Sequence, residues 1–330
     1  MLELPGFVDL QVNGFAGIDF SSPDLSEAEL RRAFRSILSN GTAAFLPTVI
    51  TSPMEVYRRN LPLIARALRV EEFSGRVLGL HLEGPFISAV PGAVGAHNPD
   101  HVCEPDVDLL ARLLDWAGGT VRLLTVAAEL PGVESIIRFA AQRGVTVSVG
   151  HSLFDQRDLA RAYAAGARGL THLGNGLPNL LPRHPNPIWE GLADDGFTAM
   201  VIADGHHLPS TVVKTVARAK GIERLVVVSD ASPVAGLPPG EYDVLGNRAI
   251  LEPSGRLYNP DKQCLVGSSA TMLNCMNFLA SLEVLDLPAL LAVGFHNPLR
   301  LISLDAGAIE CSSGPPMIFE AGVFRLGSQV

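Results

Sequence analysis

The sequence predicts an eight-stranded parallel α/β barrel, and three observations carry that prediction. Eight short apolar segments recur along the chain, each separated from the next by a helical pattern or a loop long enough for a crossover. No Gly-x-Gly-x-x-Gly follows the first of them, which disfavours the nucleotide-binding version of an open doubly wound sheet. The composition, 47% hydrophobic and 18% charged, suits a large buried parallel sheet. A chain of 330 residues could hold two ordinary domains, but a barrel of this kind takes about 250 residues as one.

The first strand is expected from Phe7, in Phe-Val-Asp-Leu-Gln-Val-Asn-Gly, and ends at Gln11, Asn13 and Gly14. A helix over 26–38 places Leu30, Phe34 and Ile37 at helical spacing and stops at Asn40-Gly41. Strand two is expected over 42–48, a helix over 54–70 and strand three over 77–83. A Gly- and Pro-bearing loop around 91–105 and a helix near 107–117 lead to strand four, 121–129. A helix over 134–143, strand five over 145–151, a helix over 156–165 and strand six over 169–173 follow. A long Pro-rich loop, 178–189, precedes strand seven at 198–204; a helix over 209–220 and strand eight over 225–230 complete the set. Residues 240–258 then read as a β-hairpin excursion, with helices resuming over 271–282 and 287–293. The expected catalytic barrel spans 5–300, with 301–330 as a short C-terminal tail.

Lys and Arg number 25 against 34 Asp and Glu, a net charge of -9, which argues against a nonspecific grip on nucleic acid. Cys103, Cys264, Cys275 and Cys311 form no Cys-x-x-Cys pair, and the first residues lack a basic region followed by an apolar one. That pattern predicts reduced thiols in a cytoplasmic protein. No apolar run approaches the roughly 20 residues that cross a bilayer, so no membrane partner is expected.

The chemistry is expected where the strands stop. Arg76 to Ile87 is a mostly apolar run that ends abruptly in His81, Glu83, Gly84 and Pro85. Polar residues at the other C-terminal strand ends are Gln11 and Asn13, His151, His172, His207 just past strand seven, and Asp230. In an α/β barrel these ends converge on one mouth. Glu83, His151 and His172 then offer one carboxylate and two imidazoles, a set typical of a catalytic zinc site with an open position. Each histidine alone reads more readily as a hydrogen-bonded structural residue; it is their convergence with a carboxylate that points to a metal. Asp230 is either a fourth ligand or, as favoured here, the group that takes a proton from metal-activated water and returns it to a leaving group. Alternation places His81 on the same face as Glu83, but as a packing or supporting residue rather than a ligand.

Six stretches, in order, make the pattern more specific: His81-Leu-Glu-Gly-Pro85, Gly150-His-Ser152, Thr171-His-Leu-Gly-Asn-Gly176, Ile202-Ala-Asp-Gly-His-His207, Ser229-Asp-Ala231 and Leu265-Val-Gly-Ser-Ser269. The series resembles that of the N-acetylglucosamine-6-phosphate deacetylases of the amidohydrolase superfamily, from Pro5-Gly6-Phe7 through Asn297-Pro298. The resemblance implies that Glu83, His151 and His172 bind metal and that Asp230 is the general base and acid. Gln11-Val12-Asn13 stands where many amidohydrolases carry His-x-His for a second metal. Amides are poor ligands beside imidazole, so one divalent ion, zinc, is expected.

The resemblance further implies substrate contacts at Asn175 and Gly176, where glycine replaces the family's alanine, and at Arg183, matching a phosphate-binding arginine. His207 matches a substrate-contacting histidine, whereas His206 fills a position the family usually fills otherwise. Ala96 and the Leu265, Val266 and Gly267 backbone would complete the pocket. Family members usually open with several short strands that join the C-terminal tail in a small β-sandwich. Here that second domain is expected to be reduced or absent, and a partner subunit, making a homodimer, to cover the exposed apolar surface. The expected activity is hydrolysis of the acetamide of N-acetylglucosamine 6-phosphate. The alternatives are another N-acyl substrate such as N-acetylgalactosamine 6-phosphate and, in a different class, a catalytically silent sugar-phosphate-binding or regulatory protein.

Overall fold

The computed structural model describes residues 3–4, 6–309 and 316–327. Cys311 lies outside them; Cys103, Cys264 and Cys275 are unpaired thiols. The eight apolar segments form the strands Phe7–Val12, Thr42–Ile50, Leu80–Glu83, Val121–Val126, Thr146–Val149, Gly169–Leu170, Thr198–Ile202 and Leu225–Val228. They pair in parallel and in chain order as one sheet. A parallel bridge between Val12 and Ala231, with Asn13 N donating to the Ala231 carbonyl at 2.7 Å, brings the last strand back to the first. The result is a nearly closed barrel.

Two-residue alternation divides each strand between two apolar clusters. Val8, Leu10, Ala44, Leu46, Met200, Ile202, Val226 and Val228 fill the interior, which Phe295, Leu299 and Ile302 help to pack. Phe7, Phe45, Ala199, Val201, Leu225 and Val227 face outward against the helices. The helices start where sequence signals place them. Ser26 and Glu29 form a capping box ahead of Glu27–Leu38, and Asp155 with Asp158 does the same for Gln156–Ala165.

The segment expected to be only a Pro-rich loop contains a helix, Pro187–Ala193. Asn186 caps it by accepting from Ile188 N and Trp189 N, and Pro187 occupies its first turn, where a missing N–H costs nothing. The excursion is a four-stranded antiparallel sheet rather than a hairpin: Gly240–Val244, Asn247–Leu251, Leu257–Asn259 and Cys264–Leu265. Near the end of the barrel, Leu287–Leu291 runs through a π-helical turn, Ala292–His296, into Asn297–Leu301. A three-stranded sheet joins Glu3–Leu4 to Met317–Glu320 and Val323–Leu326. It is seated on the barrel by Phe324, whose ring meets Phe7 edge-on at 5.0 Å and whose backbone pairs with the Asn277 side chain.

Candidate active site

Above the apolar interior the inward positions turn polar. His81 Nε2 lies 2.8 Å from the Thr125 hydroxyl and its Nδ1 lies 3.3 Å from that of Thr48; Thr125 reaches Thr171 at 2.8 Å, and Thr171 donates to Ser148 at 2.7 Å. His81 is fully buried, and burial holds it down to about 4, so it is neutral and bonded through both ring nitrogens. It is a strut beneath the mouth, as its strand position suggested.

One layer higher, Glu83, His151 and His172 converge. His151 Nε2 and His172 Nε2 lie 3.2 and 3.0 Å from Glu83 Oε1 and 3.1 Å from each other. His151 Nδ1 is 2.8 Å from the Ala93 carbonyl oxygen, so Nδ1 carries the proton and Nε2 presents a lone pair to the cluster. Gln11 Nε2 also donates to Glu83 Oε1, at 2.9 Å. Both histidines sit at positive φ, 48° and 32°, a region L-residues seldom occupy.

The electrostatics call for a cation. Burial is the largest influence on Glu83 and raises its proton affinity, but the closeness of His151, His172 and His97 outweighs it and holds the carboxyl well below its ordinary range. Burial lowers His172, yet its bond to Glu83 leaves it raised. Two imidazole nitrogens and a carboxylate oxygen this close repel one another unless positive charge lies among them. Ligands about 2.0–2.2 Å from a tetrahedral ion are about 3.4 Å apart, close to the spacing seen here. The donor set therefore fits a divalent ion.

Asp230 closes the arrangement from the eighth strand, also at positive φ, 50°. Asn13 Nδ2 donates to its Oδ1 at 2.7 Å. Burial first, and the charge of Glu83 second, push its carboxyl up to about 6, against the pull of His172, His207 and Asn13. Its backbone is clamped by neighbours: Ser229 N donates to Asp9 Oδ1 at 3.1 Å, the Ser229 hydroxyl to Asp9 Oδ2 at 2.5 Å, and Ala231 N to that hydroxyl at 3.0 Å. Asp9, buried beneath the mouth, thereby ties the first strand to the turn that carries Asp230.

These groups open on a cavity of about 310 Å³ that Ala96, Asn175, Gly176, His207, Leu265 and Gly267 also line. His207 is oriented by Asp204, whose Oδ2 accepts from its Nδ1 at 2.7 Å. Val266 is fully buried behind the wall, packed with Val234, Val244 and Leu257. Arg183 departs from expectation: its side chain is exposed on the segment ahead of Pro187–Ala193 and does not line the cavity. Two basic lining residues were not anticipated. His97 lies 3.9 Å from Glu83 Oε2 and forms, with Glu83 and His151, a buried group able to hold a metal ion. Burial, followed by the charge of His151, brings His97 down to about 3. The other is Arg256, from the excursion.

Gly176 packs against the His151 ring. At φ 61° a Cβ would lie 2.8 Å from His151 Nδ1. Gly176→Ala should therefore displace the His151 ring from its bond to Ala93, strain the turn by about 1–2 kcal/mol, and weaken metal affinity measurably by calorimetry. Unchanged metal affinity would show that the ring is not held in this way.

Barrel, buried Glu/His/His cluster and facing carboxylate together define a barrel hydrolase with a centre that can hold a metal ion. The N-acetylglucosamine-6-phosphate deacetylase of Bos taurus is 37% identical over 316 residues, covering 91% of this chain and 74% of the relative. The chain belongs to the N-acetylglucosamine-6-phosphate deacetylase family, hydrolases of an amide bond. The N-acetylgalactosamine-6-phosphate deacetylase of Escherichia coli O157:H7 is 30% identical over 307 residues, covering 92% of this chain and 79% of its own. The crystal structure of the Mycobacterium smegmatis N-acetyl-D-glucosamine-6-phosphate deacetylase matches with a TM-score of 0.85 at 28% identity, over 98% of this chain and 87% of that one. A mutant of that enzyme in complex with N-acetyl-D-glucosamine-6-phosphate matches with a TM-score of 0.84 at 26% identity, over 98% and 86%. No protein-family model matches the chain.

Proposed function

We propose that the chain deacetylates N-acetylglucosamine 6-phosphate, releasing acetate and glucosamine 6-phosphate, with Glu83, His151 and His172 holding one zinc ion. The observation that carries this reading is the triangle of Glu83 Oε1, His151 Nε2 and His172 Nε2, with edges of 3.0–3.2 Å, facing Asp230 across a cavity large enough for a monosaccharide phosphate. A divalent ion held there supplies Lewis acidity toward the acetamide carbonyl and makes water a competent nucleophile near neutral pH.

The remaining steps belong to the chain's own residues. Asn13 occupies Oδ1 of Asp230, which leaves Oδ2 to take the proton as a water oxygen bonds to the acetamide carbon. His207, oriented by Asp204, lines the cavity as a substrate contact. When the carbon–nitrogen bond breaks, Asp230 returns the proton to the departing amine, and acetate and the amino sugar leave. Ala96, Asn175, Gly176 and the Leu265 to Gly267 backbone bind the sugar. The unpaired thiols Cys103, Cys264 and Cys275 support a cytoplasmic location. The exposed Leu180 and Trp189 support a homodimer that covers them.

Acetate release across a panel of phosphorylated and unphosphorylated N-acetyl sugars, on protein of measured metal content, tests the reading. N-acetylglucosamine 6-phosphate should give the highest kcat/KM, with activity lost to chelator and restored by zinc. Indifference to chelator, or no acetate from any phosphorylated amino sugar, would overturn it. The galactosamine relatives keep N-acetylgalactosamine 6-phosphate as a second reading; a higher kcat/KM on that C4 epimer would select it.

A further inference from the structure

We propose that Ser268, which stands behind the cavity wall, is a positioning residue for the reaction: its hydroxyl fixes His207 through Asp204, and its backbone fixes the turn that carries Asp230. The inference rests on the roles proposed above for His207 and Asp230 and deepens them, because it names what holds the two groups in one frame. They follow the ends of two neighbouring strands, Thr198–Ile202 and Leu225–Val228, whose pairing runs only as far as Ile202 and Val228. The register of the sheet therefore stops short of both groups.

Ser268 takes over at the rim. It follows the last strand of the excursion, is 1% exposed and pairs with Ala231 in parallel, on the edge opposite the one that Val12 and Asn13 occupy. Ser268 N donates to the Asp230 carbonyl at 2.9 Å, and Ser232 N to the Ser268 carbonyl at 2.8 Å. Gly267 permits this approach: at φ 62° a Cβ there would lie 3.0 Å from the Asp230 carbonyl oxygen and 3.2 Å from Ser232 Cβ.

The side chain makes the second link. The Ala270 N–H can only donate, and it does so to the Ser268 hydroxyl at 3.0 Å. The hydroxyl proton is thereby left for Asp204 Oδ2, also at 3.0 Å. That same oxygen accepts from His207 Nδ1 at 2.7 Å, while Oδ1 accepts from the backbone N–H of His206 and of His207, both at 2.8 Å. Four donors thus converge on one carboxylate whose side chain is buried. Burial raises its proton affinity, but the His207 side chain and the two backbone donors outweigh it and hold the carboxyl well below its ordinary range. An anionic Asp204 keeps the shared proton on His207 Nδ1 and so fixes the tautomer as well as the plane of the ring. Ser268 is the one residue bonded both to this carboxylate and to the Asp230 backbone among the described residues.

The test is a double-mutant cycle on acetate release from N-acetylglucosamine 6-phosphate, with melting temperature and metal content measured beside it. Ser268→Ala removes the hydroxyl and keeps both backbone bonds. It should lower kcat/KM about tenfold, retain the metal, and leave the acid limb that reports Asp230 where the parent has it. Asp204→Asn keeps an oxygen for the two backbone N–H groups and so turns its amide N–H toward His207 Nδ1, which should lower kcat/KM about a hundredfold. In a His207→Ala background each of the two substitutions should cost less than about twofold, because the group they position is gone. Losses that persist at full size beside His207→Ala, or a parental kcat/KM in Ser268→Ala, would overturn the assignment. If Ser268→Ala does not fold, the Asp204→Asn arm of the cycle decides alone. A parent protein that releases no acetate would refute the functional reading itself, whereas an active parent whose losses simply multiply refutes this inference alone.

Discussion

Asp230→Asn should yield a folded protein that still binds a divalent ion and turns over almost nothing, with kcat lowered about 10²- to 10⁴-fold. The substitution keeps the shape of the side chain and an oxygen for Asn13 Nδ2, which now lies 2.7 Å from Asp230 Oδ1, and removes only the ability to carry a proton. Its clamp through Ser229 and Asp9 uses backbone and neighbouring groups, so the turn survives the change. The pH profile of the parent enzyme gives the sign. Burial and the charge of Glu83 raise the Asp230 carboxyl to about 6; the base works only as carboxylate, so kcat/KM falls as pH drops through that region. A cation among Glu83, His151 and His172 cancels the Glu83 repulsion and moves this acid limb lower. The limb should vanish in Asp230→Asn. Metal content measured beside acetate release checks the claim, and a variant that keeps both full metal and near-parental kcat would remove Asp230 from the mechanism.

The residues that were legible in the sequence share one physical origin. Glu83, His151, His172 and Asp230 each interrupt or follow an apolar run, and parallel pairing in chain order carries all such interruptions to one end of the barrel. The strand period also separated His81 from the cluster, since His81 sits one inward position lower and is consumed by Thr48 and Thr125. His97 was not legible, because it lies in a loop with no period to aim it; only the folded loop sets its ring 4.4 Å from that of His151. The helix Pro187–Ala193 was hidden by its own start signal, as Asn186-Pro187 reads as loop when the helix behind it is only a few residues long. Arg256 required the pairing of the excursion strands and the docking of their turn by His206 and Ser269. These are long-range contacts that no local pattern encodes. Positive φ at His151, His172 and Asp230 is likewise a product of tertiary constraint, because none of the three is a residue type chosen for left-handed backbone alone.

Glu83→Gln should abolish metal-dependent stabilisation along with activity. Glu83 Oε1 is the meeting point of Gln11, His151 and His172, and the charge it carries is what holds positive charge in this buried place. A neutral amide of the same shape keeps the packing but offers a much weaker ligand, and it removes the bond to Glu83 that raises the proton affinity of His172. In the parent protein, zinc at a hundred times its Kd should add about 2.7 kcal/mol to the unfolding free energy, visible as a rise in Tm after chelation and readdition. In Glu83→Gln the same addition should leave Tm nearly unchanged, zinc content should fall well below one per chain, and acetate release should drop to background. The metal-free forms provide the contrast. Chelated parent and chelated variant should differ less than their zinc-loaded counterparts, because without the ion the buried carboxylate is stabilised only by its hydrogen bonds and carries a desolvation cost that the amide avoids. A variant that binds zinc as tightly as the parent, and melts with the same zinc-dependent shift, would place the ion elsewhere than on Glu83.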